Sequence, residues 1–208
     1  MAARANYATA RMELEATRTA LADRLKRDPS VKKQVLSEAR TAVLDTMTDD
    51  LMLAWYGTPW AFNGTSVVPG EGHIACGYYI STLLTHAGFD VDRVRLAQQP
   101  SENIVKSFTL SADIHRFRNQ GANVVVTKVE ELGPGLYVLG LDYHAAMLWN
   151  DGNTVQMCHS SVLGSAAVLC EPALTSPAMQ SDYRVVGKLM NDAMLLRWLR
   201  GAHFRTVQ

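Results

Sequence analysis

Residues 57 to 89, GTPWAFNGTSVVPGEGHIACGYYISTLLTHAGF from Gly57 to Phe89, decide how the chain is organised. In its second half Tyr79, Ile80, Leu83, Leu84 and Ala87 recur at helical spacing, and Gly88 stands where a helix ends in a left-handed residue. Cys76 therefore falls in the first turn of a buried helix. The first half is too rich in Gly, Pro, Asn and aromatics for helix or regular strand, and so long a loop is commonly functional. A thiol at a helix N-terminus meets unpaired backbone N–H groups and the positive end of the helix dipole, which favour thiolate over thiol. The same amides can hold a developing oxyanion. Taken alone, the position of Cys76 favours the commoner reading, an inert buried cysteine.

Upstream, Leu14, Leu21 and Leu25 give an amphipathic helix over Met12 to Arg27, interrupted at Asp28-Pro29. Ser30 is the expected N-cap of a second helix whose stripe is Val31, Val35, Ala39, Val43 and Met47. Residues 1–47 thus form a helical extension expected to pack on a main domain of residues 48–208. Downstream, Ile104, Phe108, Ile114 and Phe117 predict one or two short helices between Pro100 and Gly121. From Ala122 to His159 the character is β: NVVVTKVEEL, GLYVLGL, HAAMLW and TVQMCH, with Asp151-Gly152 turning between the last two. SDYRVVGKLM is expected as a further strand or a docking segment, and NDAMLLRWLRG closes the chain as a helix with Met194, Leu195 and Trp198 inward. The expected class is α+β, helices packed on an antiparallel sheet.

The 208 residues are 48% hydrophobic and 19% charged, enough for a packed core. Lys plus Arg (20) balances Asp plus Glu (20), so the chain lacks the positive footprint that phosphate binding needs, and no nucleic-acid partner is expected. No apolar run of membrane-spanning length exists, and the N-terminus lacks the apolar core of a secretory signal. Three cysteines, Cys76, Cys158 and Cys170, leave at least one free thiol. Successive strand residues face opposite ways, so Cys158 is expected in the core if His159 faces a cleft. His86 reads as a surface residue, His115 and His203 as helical, and His73 as a loop residue. The HxxC spacing of His73 and Cys76 is compatible with zinc but is outweighed, and neither metal nor cofactor is expected.

GTPWAFNGT (Gly57 to Thr65) followed by Cys76 opening an apolar helix resembles the GTPYxWGGT…DCSG signature of NlpC-type cell-wall peptidases, papain-like cysteine hydrolases that cut peptide bonds in peptidoglycan. In that family the cysteine is followed by a His opening a strand and then by a third polar residue, often His. His144, opening HAAMLW, and His159, ending TVQMCH, keep that order. The resemblance spans roughly Leu51 to Ser161 and implies a papain-like fold. Trp60 stands where the family has Tyr and lacks its hydroxyl. Ala75 replaces the acidic residue before the nucleophile, Gly77 replaces the Ser after it, and the loop from Ser66 to Ile74 is longer.

The resemblance implies a cysteine amidase or endopeptidase acting on peptidoglycan stem peptides through a thioester. Cys76 is the nucleophile, His144 the acid–base group paired with the thiolate, and His159 the acceptor that orients the His144 ring. Trp60, Asn63 and Gly77 are expected at the substrate. Deamidation, transglutamination or acyl transfer on a protein or lipid shares the intermediate, and a degenerate non-enzymatic binding module is the third reading. A cell-wall site of action follows from the substrate, although the chain shows no export signal. A protein inhibitor or immunity partner is compatible with delivery as a toxin.

Overall fold

The computed structural model describes residues 2–208. Helices α1 (Ala2–Arg27) and α2 (Lys32–Asp45) open the chain. Asp28 organises the turn between them by accepting hydrogen bonds from the backbone N–H and hydroxyl of Ser30. Ser30, the expected cap, is a donor here, because a carboxylate two residues earlier is the stronger acceptor. The expected α2 stripe is sealed from solvent at Val35, Ala39, Val43 and Met47. A π-type turn at Thr46–Leu51 carries α2 into α3 (Met52–Trp55). Within it the Thr48 hydroxyl bonds back to the Leu44 carbonyl, a bond that competes with the regular helical ladder.

After the loop, α4 (Cys76–His86) runs as expected. Gly88 has φ +83°, and the N–H groups of Gly88 and Phe89 reach the carbonyls of Thr85 and Leu84, the paired bonds of a Schellman ending. Short helices α5 (Arg93–Ala97) and α6 (Ser101–Lys106) lead to strand β1 (Ile114–Arg118) and helix α7 (Ala122–Glu131). Then come β2 (Gly135–Leu141), β3 (Ala145–Asn150), β4 (Val155–Ser160), β5 (Val168–Pro172), β6 (Tyr183–Lys188) and helix α8 (Asp192–Leu199). The six strands form one antiparallel sheet in the order β1-β6-β2-β3-β4-β5. The protein is α+β. Among the described residues, no helix is long and apolar enough to cross a membrane.

Both faces of the sheet are covered. The larger core joins Leu14 and Leu21 of α1, Val35 and Val43 of α2, Ile80 and Leu83 of α4, and Leu195 and Trp198 of α8 to Leu136, Val138, Met147 and Cys158. The smaller core sets Val125 and Val129 of α7 against Tyr137, Leu139, Leu148 and Met157. Every residue of β2 is buried, as a central strand covered on both faces requires.

Of the short helices expected between Pro100 and Gly121, α6 forms, but the segment of Ile114 and Phe117 changes type, as does NVVVTKVEEL. Ile114 and Phe117 show an i, i+3 spacing, yet β1 is a strand whose Ile114 enters the larger core and Phe117 the smaller. The NVVVTKVEEL segment is a helix, with Val125, Val126 and Val129 inward and Glu130 and Glu131 outward. Packing of that one face on the sheet outweighs the strand preference of its valines. Strand β5 was not legible in the sequence. It places Cys170 directly opposite Cys158, and the two form a disulfide across β4 and β5. Cys158 lies in the core as expected, but as half of a cystine.

Candidate active site

The loop of residues 56–75 is fixed by its backbone. Gly57 N–H and Trp60 N–H donate to Val168 and Ala166, while Ile74 N–H returns to Pro59 and Ala75 N–H to Gly64. These bonds hold the start of the loop against the start of β5, fold its end back onto its own first half, and deliver the chain to Cys76. Ala75, the N-cap residue, contributes no side-chain acceptor to the first turn of α4. The leading amides of that turn are left for a ligand, as at other helix N-termini that bind negative charge. Gly77 is dictated by packing: a Cβ there would lie 2.2 Å from the Ala97 carbonyl oxygen at the end of α5.

Cys76, Gly77, Trp60, Asn63 and His144 all line one open cavity of about 940 Å³. Cys76 is the free cysteine among the described residues and is partly exposed. His144 immediately precedes β3, where its carbonyl accepts from Leu141 N–H to close the β2–β3 turn. No hydrogen bond joins the Cys76 thiol to the His144 ring among the described residues; the two meet as walls of the same cavity. His159, only 1% exposed, stands outside the cavity wall. Its Nδ1 is 2.7 Å from His144 Nε2, with the rings edge to face.

Burial holds both rings neutral. It pushes the His144 imidazole down to about 3, with neighbouring His159 adding repulsion to a second charge, and lowers His159 to about 4. A standing imidazolium at His144 is therefore not what its surroundings favour, in contrast to the expected resting ion pair. His159 Nε2 is buried without a hydrogen-bond partner, while the Glu171 carboxylate of β5 lies 3.3 Å away, off the line of an N–H bond. Glu171 in turn accepts the Ser176 hydroxyl.

No family model, curated protein or solved structure matches this chain. Function must be argued from the site itself.

The remaining histidines lie elsewhere. His73 lines a separate shallow hollow beside the loop. His86 is not a free surface residue: its Nδ1 is 2.7 Å from the Tyr7 hydroxyl, which also accepts from the buried Trp55 indole, and burial lowers its imidazole to about 4. His115 is on strand β1, and His203 follows α8, near Asp90. Among the described residues, no group of three or more His, Cys, Asp or Glu is assembled to hold a metal.

Sequence reasoning missed Tyr78, whose hydroxyl accepts from Gln98 in the cavity wall, and Tyr143, fully exposed at the rim. It also missed Glu171, which comes near His159 only through the pairing of β4 with β5.

Proposed function

We propose that this protein is a papain-like cysteine amidase or endopeptidase with an NlpC-type arrangement, acting on peptide bonds of peptidoglycan stem peptides. The observation that carries the proposal is the meeting, on one cavity, of the thiol opening α4 with an imidazole whose far nitrogen is bonded to a second, buried imidazole. His144, neutral at the start, takes the Cys76 proton at Nδ1 as sulfur attacks the amide carbonyl carbon. Amides at the head of α4 stabilise the resulting oxyanion. Collapse breaks the C–N bond, and the same nitrogen returns the proton to the departing amine, leaving a thioester. Water, deprotonated by His144 Nδ1, then attacks the thioester carbonyl carbon, and the C–S bond breaks as the same nitrogen returns the proton to sulfur. The hydrogen bond to His159 keeps Nε2 occupied, so that Nδ1 is the nitrogen left for the thiol. The Cys158–Cys170 disulfide suits an oxidising compartment, where a cell-wall substrate would be met.

Digestion of purified peptidoglycan with mass analysis of the fragments, beside a Cys76→Ala control, tests the assignment. New stem-peptide termini released by the wild type and not by the variant support it; intact peptidoglycan in both would dismiss the substrate.

One observation favours a second reading. Phe62, Tyr143, Val162 and Leu163, all exposed, rim the cavity, and contiguous exposed apolar surface commonly marks a binding site. Such a rim suits the same thioester chemistry on a protein or lipid acyl group, with transfer replacing hydrolysis.

A further inference from the structure

We infer that Glu171 is a positioning residue which, through His159, selects the nitrogen that His144 offers to Cys76. The inference deepens the cysteine-hydrolase reading and rests on it for its catalytic meaning.

A neutral imidazole carries one proton, and the bond between His144 Nε2 and His159 Nδ1 needs one donor and one acceptor. If His159 held its proton on Nδ1, it would donate to His144 Nε2. His144 would then carry its own proton on Nδ1 and could not receive one from the thiol. If His159 holds its proton on Nε2, its Nδ1 accepts from His144 Nε2–H, and His144 Nδ1 presents a lone pair. The choice is therefore made at His159 Nε2, a buried atom without a hydrogen-bond partner. The Glu171 carboxylate oxygen, 3.3 Å from it, is poorly aligned for a hydrogen bond but is a negative charge beside a site that is either N–H or lone pair. It attracts the first and repels the second.

Glu171 is itself oriented. Ser176, 4% exposed, donates its hydroxyl to the carboxylate. The residue before Glu171 is bonded by disulfide to the residue before His159, which holds these two strand segments side by side. During attack the thiol proton moves to His144 Nδ1 and the ring becomes cationic. The Nε2–H bonds of both imidazoles remain in place, and the Glu171 charge stabilises the cation through His159.

The test is long-range ¹H–¹⁵N correlation of the imidazoles in ¹⁵N-histidine-labelled full-length protein at pH 7, which reports tautomers without any substrate, with His144→Gln and His159→Gln spectra for assignment. The wild type is expected to show Nε2–H at both rings. Glu171→Ala should shift His159 and His144 together toward Nδ1–H, and Glu171→Gln, which keeps the side-chain shape but removes the negative charge, should shift them the same way. Nδ1–H at His159 in the wild type, or an unchanged pattern in Glu171→Ala, would overturn the inference. Where peptidoglycan is cleaved, Glu171→Ala should lower kcat about 10–100-fold with little change in KM, the range seen for partners that orient an imidazole from behind. Tautomers that respond as expected in a protein whose Cys76→Ala variant releases the same fragments would refute the hydrolase reading while leaving the role of Glu171 in place.

Discussion

The Ser160 hydroxyl donates a 2.6 Å hydrogen bond to the Ile74 carbonyl, tying the end of β4 to the loop two residues before Cys76. Because Ser160 adjoins His159, this bond fixes the strand of the buried imidazole relative to the helix that Cys76 opens. Ser160→Ala is expected to leave a buried carbonyl unpaired and to lower stability by about 1–3 kcal/mol in urea unfolding. A change within a few tenths would mean that the bond contributes nothing.

The cystine makes a chemical count. Unfolded in urea without reductant, the protein should expose one thiol to a colorimetric reagent, and three after reduction. The double variant Cys158→Ala/Cys170→Ala should lose about 3 kcal/mol of stability, from the loop-closure entropy of a loop of this size. Three thiols without reductant would exclude the bond.

His86, His144 and His159 are all held neutral by burial, at about 4, 3 and 4 respectively. In the unfolded chain each takes a proton near 6.5. Between those values the unfolded state binds more protons, so stability is full above about pH 6.5 and is lost as pH falls toward 4. Each ring contributes a slope of order 1 kcal/mol per pH unit. Denaturant midpoints measured from pH 7.5 to 4.5 should hold level above about pH 6.5 and fall below it, and His86→Gln should flatten the fall. A level profile would show that the rings are not desolvated.

His144→Ala should reduce turnover about 10²–10⁴-fold, the usual contribution of an acid–base group. His159→Asn should be milder than His159→Ala, because an amide oxygen can still accept the His144 N–H. Initial rates on peptidoglycan fragments compare them. Equal rates in the two His159 variants would remove the orienting role.

Elements with one unambiguous period and clear end signals can be read from the residues alone. Helix α4 and its Gly88 ending, the buried stripe of α2, strands β2, β3 and β4 and helix α8 were all legible from local patterning. So was the order of Cys76, His144 and His159, three residues that the structure gathers around one cavity and one ring-to-ring bond. Tertiary structure decided where one residue's neighbours lie on a different segment. Ile114 and Phe117 imitate a helix because the sheet has a core on each face, and the valines of α7 become helical because a single packed face outweighs local preference. Strand register sets Cys170 opposite Cys158 and brings Glu171 to His159, and backbone crowding by Ala97 excludes any side chain at position 77. Burial lowers the histidines, and burial belongs to the packed molecule: a sequence names the groups that can carry a proton, whereas the solvent removed from around them decides whether they do.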